Sequence, residues 1–321
     1  MRSADFMIDV SGACGIAGPL AVAATVHIPD APVAPDVVAI AMPGGGYNRG
    51  YYDLHIPGHS GYSQARYHTD RGWALVACDP IGTGDSSVPA APHTIAQVAA
   101  VQAAAVRWMR DRLAAGTLAD GLPPAPGAIV LGLGQSMGGC FTIAAQGGYA
   151  PYDAVGILGF SARHTELPLP EGTFAQVPTS PDGGAASQED VTAALMASFR
   201  WVFHFDDVPA DIAALDMASV PMRNGDDVPT WGHRAASLPC GVDMLKPGVV
   251  AGQAAAIAVP VLIAQGERDV VPHPRDEPAA YSSSDHVTMV RIPAMAHMHN
   301  FASTRERMWR AIHAWGQSLL P

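Results

Sequence analysis

Short apolar runs, most of them closed by glycine, proline or aspartate, recur along the first half of the chain and again near its end. Val37–Met42, Trp73–Cys78, Ala128–Leu133, Ala154–Phe160 and Val259–Ala264 show no polar alternation, which predicts strands buried on both faces. Val287–Ile292 predicts the last strand, and Phe6–Val10 with Leu20–Ile28 an antiparallel pair at the start. Between them lie helical patterns. Ser63–Arg71 predicts a short helix. Thr94–Ala115 predicts a long one, with Ile95, Val98, Val101, Ala105, Met109 and Leu113 on one face. Cys140–Ala145 begins another. Ser303–Leu319 predicts a closing helix with Ser303 as its N-cap and Met308, Ile312 and Trp315 turned inward. Strands alternating with helices predict an α/β architecture: a mostly parallel central sheet with helices on both faces.

The alternation lapses between about Arg163 and Ala256. Pro168–Gly184 reads as a loop. Gln188–Phe205 reads as helical and carries Phe199, Trp201, Phe203 and Phe205, and Asp207–Gly241 is irregular. The organisation expected is therefore a core from residues 1–162, an insertion at 163–256 and a return to the core at 257–321.

Composition narrows the function classes. Across 321 residues the chain is 49% hydrophobic and 15% charged, with a net charge of −11. A sizeable core is expected, and the acidic balance argues against nucleic acid and anionic membranes as partners. Cys14, Cys78, Cys140 and Cys240 form no C-x-x-C pair and read as free thiols of a reducing compartment. Asp5 and Asp9 stand where a signal peptide needs an apolar run. A cytoplasmic protein with a small-molecule substrate is expected, and self-association into a homo-oligomer is left open.

The chemistry gathers where strands end. Gly134-Gln135-Ser136-Met137-Gly138 joins a buried strand to a helix, the context in which G-x-S-x-G forms a strained turn that exposes its serine. Pro43-Gly44-Gly45-Gly46-Tyr47-Asn48 follows another strand, and a glycine run there can aim backbone N–H groups into a cleft. Asp269 and His297 each follow a further strand. Serine needs a base to take its proton, and a histidine oriented by a carboxylate supplies one. In Asp79-Pro80-Ile81-Gly82-Thr83-Gly84-Asp85-Ser86 the aspartates are expected to hold a turn rather than do chemistry.

These residues carry a resemblance. The chain order Ser136, Asp269, His297, the Gly134–Gly139 run, the 79–86 turn, Gly266-Glu267-Arg268-Asp269 and Ala296-His297 together resemble the α/β-hydrolase fold superfamily over nearly the whole chain outside the insertion. The resemblance implies Ser136 as nucleophile, His297 as base and acid, and Asp269 as orienting carboxylate. It implies an oxyanion hole from the backbone N–H of Met137 and one of Gly45 or Gly46. Many lipase-like members open the glycine run with histidine, where Pro43 stands here. The insertion would be a cap that sets substrate choice without holding the triad, with Tyr47, Trp201, Phe205 and Trp231 lining a substrate pocket. The activity implied is hydrolysis of a carboxylic ester or lactone of a small, mostly apolar molecule. Thioester or β-diketone C–C hydrolysis, and a small-molecule receptor on the same scaffold, are the alternatives.

Other constellations read as structural. Glu267 competes with Asp269, but the G-x-x-D spacing selects Asp269. His297 and His299 form an H-x-H pair, yet no third ligand stands at suitable spacing, so neither a metal nor another cofactor is expected. His297 comes first after Ala294-Met295-Ala296, where small residues leave room for a turn into the cleft, and His299 stands close to the start of the closing helix. His299 is therefore expected to hold the start of the closing helix or to line the pocket. Pro57 and Gly58 separate His55 from His59, and Cys140 reads as core.

Overall fold

A computed structural model of the chain describes residues 1–169, 174–175, 199–218, 228–233 and 238–321. The expected loop at 168–184 and the first part of the expected helix at 188–205 lie largely outside the described residues.

The chain opens with β1 (Arg2–Asp9) and β2 (Ala21–Ile28), an antiparallel pair, and continues through β3 (Val37–Met42), α1 (Gln64–Thr69), β4 (Ala74–Cys78) and α2 (Ile95–Ala115). β5 (Ile129–Gln135), α3 (Met137–Tyr149) and β6 (Ala154–Leu158) follow. Among the described residues, the tiny strands β7 (Leu167–Pro168) and β8 (Phe174–Ala175) pair with each other. Helices α4 (Phe199–Phe203), α5 (Ala210–Met217), α6 (Leu238–Asp243) and α7 (Ala251–Ala256) lead back to β9 (Val261–Arg268), β10 (Val287–Ala296) and α8 (Arg305–Gln317).

Eight strands form one sheet in the order β1-β2-β4-β3-β5-β6-β9-β10. The pairings of β2 are antiparallel, and every pairing from β4 to β10 is parallel. All six residues of β3 are buried, and their alternation divides the core. Val38, Ile40 and Met42 pack with residues of α2 and α3 on one face; Val37, Ala39 and Ala41 pack with residues of α1 and α8 on the other. Burying one such Val, Ile or Met contributes about 1.5–3 kcal/mol, so the continuous apolar runs fix both faces at once. Helix ends are set locally. Thr94 caps α2 through a reciprocal pair with Gln97, and Ser63 caps α1.

Two boundaries differ from expectation. The closing helix starts after Thr304, and the Ser303 hydroxyl donates to Asp207 at 2.5 Å instead of capping it. The last strand continues beyond Ile292 through a bulge. Pro293 has no N–H for the ladder, Ala294 turns to φ 51°, and pairing with β9 resumes at Ala296. Glu267 serves this bulge, accepting the Ala294 N–H at 2.8 Å. Within the 163–256 segment, α7 packs against α3, with Ala254 in the main core.

Candidate active site

Ser136 stands between β5 and α3 at φ 52° and ψ −120°. A side chain at φ > 0 costs of order 1–3 kcal/mol, and the flanking glycines make the turn sterically attainable. A Cβ on Gly134 would lie 2.3 Å from the Gly138 carbonyl oxygen, and one on Gly138 would lie 2.2 Å from that of Met42. Ser136 donates its backbone N–H to Leu158 at 2.8 Å, and its side chain makes no capping bond to α3. The hydroxyl is left at the positive end of a 13-residue helix.

The structure brings Ser136, His297 and Asp269 together. Ser136 Oγ lies 3.0 Å from His297 Nε2, and His297 Nδ1 lies 2.7 Å from Asp269 Oδ1. Ser136 is half-buried; His297 and Asp269 are buried. The backbone N–H groups of Gly266 and Val270 donate to Asp269 at 2.8 Å each. Burial pushes the Asp269 carboxyl up, but the field of His299 and the hydrogen bonds from His297 and His299 outweigh it. The group is held well below the usual carboxylate range. Glu267, its sequence competitor, is engaged at the β10 bulge.

The glycine run passes directly over the serine. A Cβ on Gly44 would lie 2.3 Å from Gln135 Oε1 and 3.1 Å from Ser136 Cβ, and Gly45 faces the Met137 side chain. Gly46 adopts φ 81°. Among the described residues none accepts a hydrogen bond from the N–H of Gly45, Gly46 or Met137.

The four expected pocket residues fall into two groups. Tyr47 and Trp231 are buried and converge on the buried Asp216: Tyr47 Oη donates at 2.7 Å and Trp231 Nε1 at 2.9 Å. His204 Nε2 stands 3.0 Å from the same carboxyl, out of hydrogen-bond alignment. Trp201 and Phe205 pack against the Arg268 guanidinium, whose carbon is 4.1 Å and 4.7 Å from their ring centroids. Amphipathic rings with a polar tip take such buried, hydrogen-bonded positions readily, and an aromatic face attracts a guanidinium. Among the described residues, the Phe203 ring stands 5.8 Å from the His297 ring.

Sequence reasoning missed two features. The inserted segment grips both site loops through backbone bonds. Val202 and Phe203 accept the N–H groups of His297 and Met298 at 3.0 Å. On the glycine side, Asn48 donates to Trp231 and His233 to Gly46, both at 2.9 Å. The second feature is His299, whose Nε2 lies 2.8 Å from Asp269 Oδ2. Its side chain does not cap the closing helix. The 79–86 turn matches its expectation: Asp79 accepts from the N–H groups of Arg49 and Asp85. A separate cavity of about 730 Å³, lined by Asp53, Tyr62, Arg66, Tyr67 and Trp309 among others, includes none of Ser136, Asp269 and His297.

No family model and no curated protein matches the sequence. Solved structures do match in three dimensions. A probable hydrolytic enzyme from Pseudomonas aeruginosa superposes with a TM-score of 0.63 at 16% identity, over 99% of this chain and 95% of its own. An esterase from Exiguobacterium antarcticum gives 0.61 at 15% identity, over 93% and 96%. A bromoperoxidase from Bacillus anthracis gives 0.60 at 13% identity, over 98% of both chains. The fold is the α/β-hydrolase fold.

Proposed function

We propose that this chain, built on the α/β-hydrolase fold, is a serine hydrolase that cleaves a carboxylic ester or lactone of a small, mostly apolar molecule through an acyl-enzyme. The observation that carries the reading is the continuous relay from Ser136 Oγ through both nitrogens of His297 to Asp269. His297 Nε2 takes the hydroxyl proton as Ser136 Oγ attacks the carbonyl carbon. Asp269, ionised, holds the imidazole in the tautomer with Nδ1–H and stabilises the imidazolium. The developing oxyanion takes hydrogen bonds from the N–H of Met137 and of Gly45 or Gly46, one such donor being worth about 3 kcal/mol. Collapse of the tetrahedral species expels the alkoxide, which takes the proton from His297. Water then repeats the sequence on the acyl-enzyme. The Met137 side chain beside Gly45 and the Phe203 ring beside His297 support an apolar acyl group. The descriptions of two of the neighbours, an esterase and a probable hydrolytic enzyme, agree with hydrolysis.

A panel of esters, lactones and thioesters of graded acyl size, assayed with the wild type and Ser136→Ala, tests this. Ser136-dependent turnover of esters or lactones is expected. Turnover that favours thioesters moves the substrate class, and turnover that survives Ser136→Ala contradicts the mechanism.

A further inference from the structure

We infer that His299 is a positioning residue for the proposed relay, acting through Asp269 to fix the orientation and basicity of His297. The inference rests on the serine-hydrolase reading for its kinetic arm, but not for its spectroscopic one.

The geometry is a carboxylate held from four sides. Oδ1 receives the N–H of Val270 at 2.8 Å and faces His297 Nδ1 at 2.7 Å. Oδ2 receives the N–H of Gly266 at 2.8 Å and faces His299 Nε2 at 2.8 Å. The two imidazoles stand 6.4 Å apart at 77°, one on each oxygen. His299 is 2% exposed. Room for it comes from Gly159, where a Cβ would sit 3.1 Å from both His299 Cε1 and Asp269 Oδ1. A merely space-filling residue needs no such aligned N–H.

An ionised Asp269 requires a proton on each nitrogen that faces it. For His297 this leaves Nε2 bare toward Ser136. For His299 it leaves Nδ1 bare, and that atom has no partner among the described residues. A second proton there would be a buried donor without an acceptor, which is costly. The titratable groups facing it are Asp269, His297 and Tyr51, whose phenol is pushed up by burial.

Two consequences follow from removing the His299 N–H. Oδ2 keeps only the Gly266 N–H, so the carboxylate gains freedom to pivot and His297 loses orientation. More of the negative charge also acts on His297, which favours its imidazolium. His299 thus draws off part of the carboxylate's charge.

The test uses His299→Phe, which keeps a ring but no donor, His299→Gln, whose amide reaches the Nε2 position, and His299→Asn, which is polar but too short. kcat and KM are measured on the best ester of the panel over about pH 5 to 9, and the His297 imidazole is titrated by 15N NMR. In the Phe and Asn variants kcat is expected to fall about tenfold with KM little changed. The acid limb and the NMR titration of His297 should both move up by roughly one pH unit. Gln should restore both. A His297 titration that stays at its wild-type position in the Phe and Asn variants overturns the inference, whatever happens to kcat. Equal loss in all three variants does so as well. If His299→Phe does not fold, the Gln and Asn pair decides alone. A wild type that turns over no ester defeats the hydrolase reading instead, and the NMR titration still decides the role of His299.

Discussion

The backbone N–H of His297 donates to the carbonyl oxygen of Val202, 3.0 Å away. The proposed base, which follows the end of β10 directly, is therefore also tied to α4 in the inserted segment. The glycine run is tied to the same segment through Asn48 and Trp231, and Tyr47 reaches Asp216 within it. Every proposed triad member lies outside the inserted segment, yet among the described residues that segment holds two of the loops on which the proposed chemistry depends.

Trp231→Phe keeps the ring and removes the hydrogen bond to Asp216. The lost bond is expected to cost about 1–3 kcal/mol of stability and to slow labelling of Ser136 by a small fluorophosphonate, because the glycine run loosens with it. Urea unfolding and labelling kinetics check both. An unchanged labelling rate with a reordered preference for acyl size would return the segment to a pure specificity cap.

Gly138→Ala places a methyl group where the Met42 carbonyl oxygen already lies, 2.2 Å from the new Cβ. Overpacking of this kind costs typically 1–3 kcal/mol, and the elbow must open to relieve it. A lowered melting temperature together with loss of Ser136 labelling is expected. A folded variant with wild-type labelling would show that the turn needs no glycine at this position.

His297→Ala is expected to lower kcat by several orders of magnitude and leave a residual rate of roughly 10³–10⁴ over water from oxyanion contacts and binding. His299→Ala is expected to cost about tenfold. Kinetics of both variants on one good ester, after circular dichroism has shown that they fold, separate the roles. A dead His299→Ala beside an active His297→Ala would reverse the assignment.

His68 makes a prediction about stability. It is buried against Trp73, with ring centroids 4.8 Å apart, and its Nδ1 lies 3.3 Å from that of His313. Burial chiefly, then His313 and Arg71, push its pKa down to about 3. The unfolded chain, with a pKa near 6.5, therefore binds this proton first. The contribution of His68 is fully present above about pH 6.5 and is lost as pH falls toward 3. Between pH 7 and 5 the loss comes to about 2 kcal/mol. His27, His93 and His313 are shifted down as well and add to the slope. Urea midpoints at pH 7 and pH 5 should fall less in His68→Phe than in the wild type. Equal falls would remove His68 from the acid response.

The fold was legible because its signals are local. A run such as Val37–Met42 has no polar face to turn outward, so it can only be an interior strand. Ser136 was legible for the same reason, since strand, glycine spacing and helix lie within one short stretch. Asp216 was not legible, because its partner Tyr47 is 169 residues away in the chain and nothing near either residue announces the other. Nor was the role of His299. In an extended stretch the two imidazoles would share a face. The chain instead turns: His299 N–H donates to the His297 carbonyl at 3.1 Å, and residues His299–Phe301 form a 3₁₀ turn. That turn sets His297 and His299 on opposite oxygens of one carboxylate. The signal available was an H-x-H pair after a strand together with a single aspartate able to serve both.

The most direct measurement is the intact mass of the protein after exposure to a fluorophosphonate, with peptide mapping of the adduct. One adduct per chain, located at Ser136, absent in Ser136→Ala and strongly slowed in His297→Ala, is the expected result. An adduct that persists in Ser136→Ala, or a folded wild type that forms none, would contradict the assignment of Ser136 as the nucleophile.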